Sequence, residues 1–365
     1  MTKKIKVMHI INNLEVGGAE KMLILLLKYL SKRDDIELYL VSLEGHGPLI
    51  KNLPDNIVVK EFNYHLFNPL FNRFDPYLRL GLLLYALKIK PDIIHGHLFK
   101  GEDFAKMLGF MIRVPVITTS HDTLVHPDRR SLFLNRYLTE AVAVSKKVAD
   151  HLKNAYKLPV KKITIIPNAV EVKLFEKGEK EFNKNKPIFI YIGRLLKSKG
   201  IEDAMKGLAR LKQYYSELEF LIYGKESERG YREVLEKLAK QNEWNFVKFM
   251  GRTDDVPSAL KNGDIFVLPS RSEGFAISVL EAAAAGKPVI ATKTGAIVDI
   301  VEEFKSGLFV DWGKPEQIYK AAKKILDDNL VESYGIVAKK KAQESFDIKK
   351  VVEMYHTLYL NVIQK

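Results

Sequence analysis

The sequence predicts an α/β protein whose parallel sheets fall into two domains. Three observations lead there. Strand-like apolar runs alternate with helical patterns along all 365 residues, as in sheets joined by crossover helices. That length suits two domains of ordinary size. Near the middle, residues 171–187 are rich in Lys, Glu and Asn and read as a linker.

The alternation starts at once. Lys6–Ile11 is strand-like, and Asn12 to Gly18 makes a polar turn. A helix follows over about Ala19–Ser31, with Met22, Leu23, Leu26, Leu27 and Leu30 at helical spacing. Gly17-Gly18 sits where the backbone can approach a ligand closely. It is not G-x-G-x-x-G, so a dinucleotide site is not supported. Strands are expected at Ile36–Leu43 and Ile57–Phe62. Between Leu66 and Lys90 lies an aromatic, cationic run with Phe67, Phe71, Arg73 and Phe74, then a Leu-rich helix. It reads as a loop and a buried helix, or as a membrane-facing patch.

The strand Pro91–His97 ends in His95 and His97, which share one side of a strand. No third close ligand is identifiable, so no metal site is expected there. Val116–Asp122 is a strand ending in a polar loop with His121 and Asp122, and Glu140–Ser145 and Ile163–Ile166 follow. Ligands of open α/β sheets bind beyond the carboxyl ends of strands, where His121 lies.

Past the linker, Pro187–Ile192 leads into Gly193-Arg194 and on to Lys199-Gly200. Arg194 as a fork and Lys199 as a point charge can both meet a diphosphate beyond that strand end. Leu218–Tyr223 and Val247–Gly251 are the next strands, with Arg252 just after. Asp254-Asp255 lacks the spacing of a D-x-D metal motif. The strand Asp264–Leu268 opens onto Pro269-Ser-Arg-Ser-Glu273-Gly274-Phe275-Ala276. A helical pattern then runs to Ala285 and stops at Gly286 and Pro288. Glu273 is expected at the mouth of that helix, where free N–H groups suit a phosphate. Glu281 is expected about two turns in, on roughly the same face. A carboxylate there can accept two hydrogen bonds from a ribose diol. Val289–Thr292 and Ser306–Val310 close the strands, and helices run from about Pro315 to the end.

Glu273 and Glu281, with the Gly193-Arg194-Leu-Leu-Lys-Ser-Lys199-Gly200 segment, resemble the signatures of retaining glycosyltransferases of family 4, of GT-B fold. The likeness covers nearly the whole chain. It implies two Rossmann-like domains facing across a cleft: an acceptor-binding domain over 1–170, the linker 171–187, a nucleotide-sugar domain over 188–345, and a helix over 346–365 crossing back. It implies that Glu281 binds the donor ribose and that Glu273 contacts the transferred sugar beside Gly274, Phe275 and Ala276. Gly17, Gly18 and Gly193 would lie along the donor, and Arg252 near its base. Arg194 and Lys199 would stabilise the departing diphosphate, so neither cofactor nor metal is expected. His97 matches a strand end thought to shape the cleft and is expected on the acceptor side; His121 matches a position that implies contact with the transferred sugar or the acceptor, and with Arg194, Lys199 and Glu273 makes up the expected catalytic set. Thr294 and Asp299 depart from the family's usual Gly and Glu. The expected activity moves a sugar, UDP-linked in the first reading, to a glycan or lipid-linked glycan. A nucleotide-sugar epimerase of the same fold, or an inert binding subunit, stays open.

Composition limits the rivals. There is no cysteine, which excludes disulfides and thiolate metal sites and fits a reducing compartment. No run reaches about 18 apolar residues, so no transmembrane helix is expected. Residues 1–6 lack the apolar segment of a secretion signal. The formal charge is +13, and residues 1–170 hold 25 Lys+Arg against 16 Asp+Glu. Nucleic acid would suit such charge, but no nucleic-acid module is recognisable. The other partners it suits are a phosphorylated acceptor or an anionic membrane. Peripheral contact with the inner face of the cell membrane, from the cytoplasm, is the expectation.

Overall fold

A computed structural model describes residues 4–45, 47–62, 76–123, 126–176 and 181–364. The chain divides into two compact units: Met1–Asn168 with Ile348–Lys365, and Ala169–Asp347.

In the first unit, seven strands among the described residues form one parallel sheet. They are β1 (Ile5–Ile11), β2 (Ile36–Ser42), β3 (Val58–Glu61), β4 (Ile93–His97), β5 (Val116–Ser120), β6 (Glu140–Ala143) and β7 (Ile163–Ile165), in the order β3-β2-β1-β4-β5-β6-β7. The order reverses between β1 and β4, which makes the crevice at their carboxyl ends the topological switch point. β4, β5 and β6 are buried along their length, as expected for strands with helices on both faces. The closing helix Ile348–Ile363 belongs to this unit and buries Val351, Tyr355, Leu358, Tyr359 and Val362. Arg33–Glu353 (2.6 Å) and His356–Asp35 (2.7 Å) tie its outer side down.

The second unit repeats the plan with β8 (Ile188–Ile192), β9 (Glu219–Tyr223), β10 (Val247–Gly251), β11 (Ile265–Leu268), β12 (Val289–Thr292) and β13 (Gly307–Val310). Among the described residues these form a parallel sheet in the order β10-β9-β8-β11-β12-β13, with its switch point between β8 and β11.

Three expectations need correction or fall outside this description. The stretch read as a linker is attached to the second unit where it is described: Val172 is buried, and Lys184 reaches Asn329 at 2.9 Å. The helix that was to start beside Glu273 spans only Ile277–Ala284. Ala276 precedes it in a left-handed conformation (φ 59°), so Glu273 lies in the loop and shares no helix face with Glu281. Phe67, Phe71, Phe74 and Arg73 lie outside the described residues. The Leu-rich helix that follows, Pro76–Ile89, is not wholly buried. It packs Leu78, Leu82, Ala86 and Ile89 inward and exposes Tyr77, Leu80, Leu84 and Leu87.

Candidate active site

At the switch point of the second sheet, three loops meet. The β8 loop carries Gly193, Arg194 and Lys199. Tyr191, buried in β8, donates its hydroxyl proton to the Arg194 carbonyl at 2.6 Å and fixes the turn. Gly200 closes the loop at φ +71°, with the Pro269 carbonyl 2.2 Å from where a Cβ would stand. Only glycine fits such a position. Arg271 N–H donates to the Ser198 carbonyl at 2.8 Å, joining the β8 loop to the β11 loop.

The β11 loop carries Glu273. Its Oε1 accepts from Lys199 Nζ at 2.6 Å and from Ser270 Oγ at 2.5 Å. The Lys199 and Glu273 side chains are only 15% and 9% exposed. The two charges are therefore fixed as a pair in a largely water-excluded position, where such contacts are stronger than at a surface. The third loop, after β12, supports the second. Glu273 N–H donates to Thr294 Oγ1 at 3.3 Å, and Ala296 N–H to the Gly274 carbonyl at 3.0 Å. Gly295, at φ +59°, passes so close that a Cβ would lie 2.4 Å from the Glu273 and Gly274 carbonyls. Thr294 thus has a role at the very place where the sequence departs from the family pattern. Sequence reasoning missed Ser270, Thr294 and Gly295, because each acts through a contact that no spacing announces.

The other expected donor residues are placed as follows. Arg194 is exposed just past β8. Phe275 is buried against Phe346, edge to face at 6.2 Å. Glu281 is half-buried on the helix Ile277–Ala284, in keeping with its apolar neighbours. Arg252 is exposed and forks onto Asp254 at 2.7 and 3.1 Å. Asp255 caps the helix Val256–Lys261 through the Ser258 N–H at 3.0 Å, so the acidic pair has structural partners.

At the carboxyl edge of the first sheet, Gly17 caps the helix Gly18–Leu30 in extended conformation. Asn12 Oδ1 accepts from Gly101 N–H at 2.9 Å, and Asn13 Nδ2 donates to Glu44 at 3.0 Å. These asparagines follow β1 directly and were not singled out from sequence. His121 follows β5, and both its ring nitrogens are buried without a hydrogen-bond partner among the described residues. Burial lowers its pKa to about 4, with Asp122 opposing the shift. The ring is therefore neutral, with one nitrogen able to accept a hydrogen bond. Beside it, Glu102 is buried, accepts from Ser120 Oγ at 2.9 Å and has its pKa raised to about 7 by burial.

His97 does not sit as expected. Its side chain is 2% exposed and its Nε2 lies 2.9 Å from His9 Nδ1. The ring points into the core and is withdrawn from direct contact with an acceptor. β4 lies beside β1, which brings in the third imidazole that spacing within β4 could not reveal.

With this geometry in hand, comparison with known proteins is direct. The model of Glycosyltransferase Family 4 matches residues 16–174, and that of Glycosyl transferases group 1 matches 172–343. The chain is similar to N-acetyl-alpha-D-glucosaminyl L-malate synthase of Bacillus anthracis, 24% identical over 84% of each chain. It is also similar to a diphospho-undecaprenol α-1,3-N-acetylgalactosaminyltransferase of Campylobacter jejuni, 25% identical over 93% of this chain and 94% of that one. Among solved structures, Anabaena Alr3699/HepE in complex with UDP is 20% identical, at TM-score 0.84, over 98% of this chain and all of that one. Both Rossmann-like units have their counterparts in glycosyltransferases of GT-B fold. The two family models follow one another along almost the whole chain, and the chain belongs to the glycosyltransferases of family 4.

Proposed function

We propose that the protein is a retaining transferase that takes a sugar from a UDP-linked donor and adds it to a glycan, or to a glycan carried on a membrane lipid, in surface polysaccharide or glycoconjugate assembly. The observation that carries this reading is the cationic, preorganised edge of the second sheet, where Arg194 and the Lys199–Glu273 pair meet at the switch point. A diphosphate bound there meets two cations and the free N–H groups that open the helix Ile277–Ala284. Charge growing on the departing diphosphate is stabilised by groups already in place, which is commonly the largest catalytic term. No divalent metal is needed for it. Glu273, held by Lys199 and Ser270, can accept from hydroxyls of the transferred sugar, and Glu281 from the ribose. His121, neutral, accepts from a sugar hydroxyl on the acceptor side. The base assignment is supported by the UDP bound to the Anabaena neighbour. The lipid-linked acceptor is supported by the diphosphoundecaprenol acceptors named for the Campylobacter relative and for a galactosyltransferase of Escherichia coli.

Contact with the bilayer is peripheral in this reading. Among the described residues no helix is long and apolar enough to cross a membrane. The helix Pro76–Ile89 instead offers Tyr77, Leu80, Leu84 and Leu87 along one exposed stripe, with Lys88 and Lys90 at its end. Apolar side chains beside cations suit an anionic interface, at about 1 kcal/mol per cation near the surface. Co-sedimentation with anionic and neutral liposomes, paired with transfer assays on lipid-linked and free saccharides, tests the reading. Binding should need anionic lipid and fade with salt, and the lipid-linked acceptor should be preferred. Indifference to anionic liposomes at low salt, with equal use of a free saccharide, would replace the lipid acceptor by a soluble one.

A further inference from the structure

We propose that His9, His95 and His97 form a binding site for one divalent transition-metal ion of the imidazole-preferring class, Zn²⁺, Co²⁺ or Ni²⁺. Three adjacent strand positions build it. His9 of β1 is in direct register with His95 of β4, and His97 lies two residues further along the same face. The rings are layered, with centroids 5.0 Å apart for His9–His95, 4.2 Å for His95–His97 and 5.2 Å for His9–His97. Their candidate ligand nitrogens all lie within 4.8 Å of one another. A tetrahedral ion at about 2.0–2.1 Å from each nitrogen sets those nitrogens about 3.3 Å apart, so small ring rotations close the site.

The surroundings favour a ligand. All three rings are at most 2% exposed. His9 Nε2 is buried with no partner among the described residues, which is costly unless something occupies it. His95 Nε2 lies 2.8 Å from Thr119 Oγ1, a contact that an ion bound there would displace, and His95 Nδ1 lies 2.8 Å from the Tyr359 hydroxyl. The Tyr359 contact is of the outer-shell kind that fixes the tautomer and orientation of a metal-bound imidazole. Three neutral imidazoles without carboxylate select borderline ions over Mg²⁺ or Ca²⁺. The site lies within the first unit, between β1, β4 and the closing helix that carries Tyr359. A bound ion would tie these together and leave the diphosphate chemistry of the second unit to Arg194 and Lys199.

The test uses full-length, tag-free protein stripped with a chelator and titrated with Co²⁺. One equivalent should bind and give the intense visible band of imidazole-ligated tetrahedral Co²⁺, displaced by Zn²⁺ and untouched by excess Mg²⁺. His9→Gln and His97→Gln should each weaken Co²⁺ binding more than about tenfold, as loss of a direct ligand costs at least what loss of an outer-shell partner does. The control H126Q/H151Q removes another facing histidine pair among the described residues, with ring centroids 5.5 Å apart, and should bind Co²⁺ as the wild type does. X-ray absorption of the Co²⁺-loaded wild type supplies a readout free of any folding defect in the variants, and should show at least three imidazole nitrogens. The proposal is overturned if wild-type protein shows no stoichiometric band, if absorption shows oxygen ligands only, or if a folded H9Q/H97Q double variant keeps the wild-type band.

Discussion

Replacing Lys199 by Met, which keeps the chain length and removes the charge, isolates the Lys199–Glu273 pair. At 2.6 Å and an effective dielectric of about 20, the attraction is about 6 kcal/mol before desolvation is subtracted. Removing one partner of a fully buried pair costs about 3–5 kcal/mol, and of an exposed pair under about 1. The 15% and 9% exposures place this pair nearer the buried limit. Ser270 still donates to Glu273 in the variant and offsets part of the loss. The expected cost is therefore about 2–3 kcal/mol, which lowers the melting temperature of a unit of this size by about 5–10 °C. Glu273→Gln alone should also destabilise, and the double variant should recover about 2 kcal/mol of the summed losses. Tryptophan fluorescence is the assay, because Trp244 and Trp312, the only two tryptophans, both belong to the second unit. Single variants within about 0.5 kcal/mol of wild type, or strict additivity in the double variant, would refute the reasoning, since that is how an exposed pair behaves.

Three further outcomes are expected. Gly295→Ala should cost about 2 kcal/mol or more and lower donor affinity, because its Cβ would press on the Glu273 and Gly274 carbonyls at 2.4 Å in a left-handed backbone; a melting temperature equal to wild type would contradict this. Glu102 has its folded pKa raised to about 7 from 4.5, so the stability it lends is full below pH 4.5 and is lost as pH rises towards 7, by up to about 3 kcal/mol. Glu102→Gln should therefore melt higher than wild type at pH 8 and equally at pH 4.5, and equal melting at both pH values would show that the carboxyl titrates normally. Turnover should persist in EDTA, because Arg194 and Lys199 supply the positive charge; loss that Mg²⁺ or Mn²⁺ restores would show a metal at the diphosphate.

Much of this was legible in the sequence. Apolar strand runs and helical periods placed both sheets, because parallel strands are buried on two faces and leave nearly continuous hydrophobic runs. Arg194, Lys199, Glu273 and Glu281 were identifiable because their motif is contiguous or nearly so. What was hidden depends on contacts across strands. The left-handed turn at Ala276 moved Glu273 off the helix, and no residue type there announces it: alanine gives no signal of positive φ. The pairing of Lys199 with Glu273 joins loops 74 residues apart. His9 completes a cluster with His95 and His97 only because the sheet order sets β1 beside β4. That same burial withdraws His97 from the acceptor role that the family resemblance implied.

The central claim is that the edge of the second sheet binds a nucleoside diphosphate through Arg194 and Glu281. Calorimetric titration of UDP, GDP and ADP into wild type, Arg194→Ala and Glu281→Ala tests it most directly. Wild type should bind UDP at one site, and each variant should lose about 1.5–3 kcal/mol, the size of hydrogen bonds to a charged group. Failure of all three nucleotides to bind, or unchanged affinity in folded Arg194→Ala and Glu281→Ala, would contradict the account.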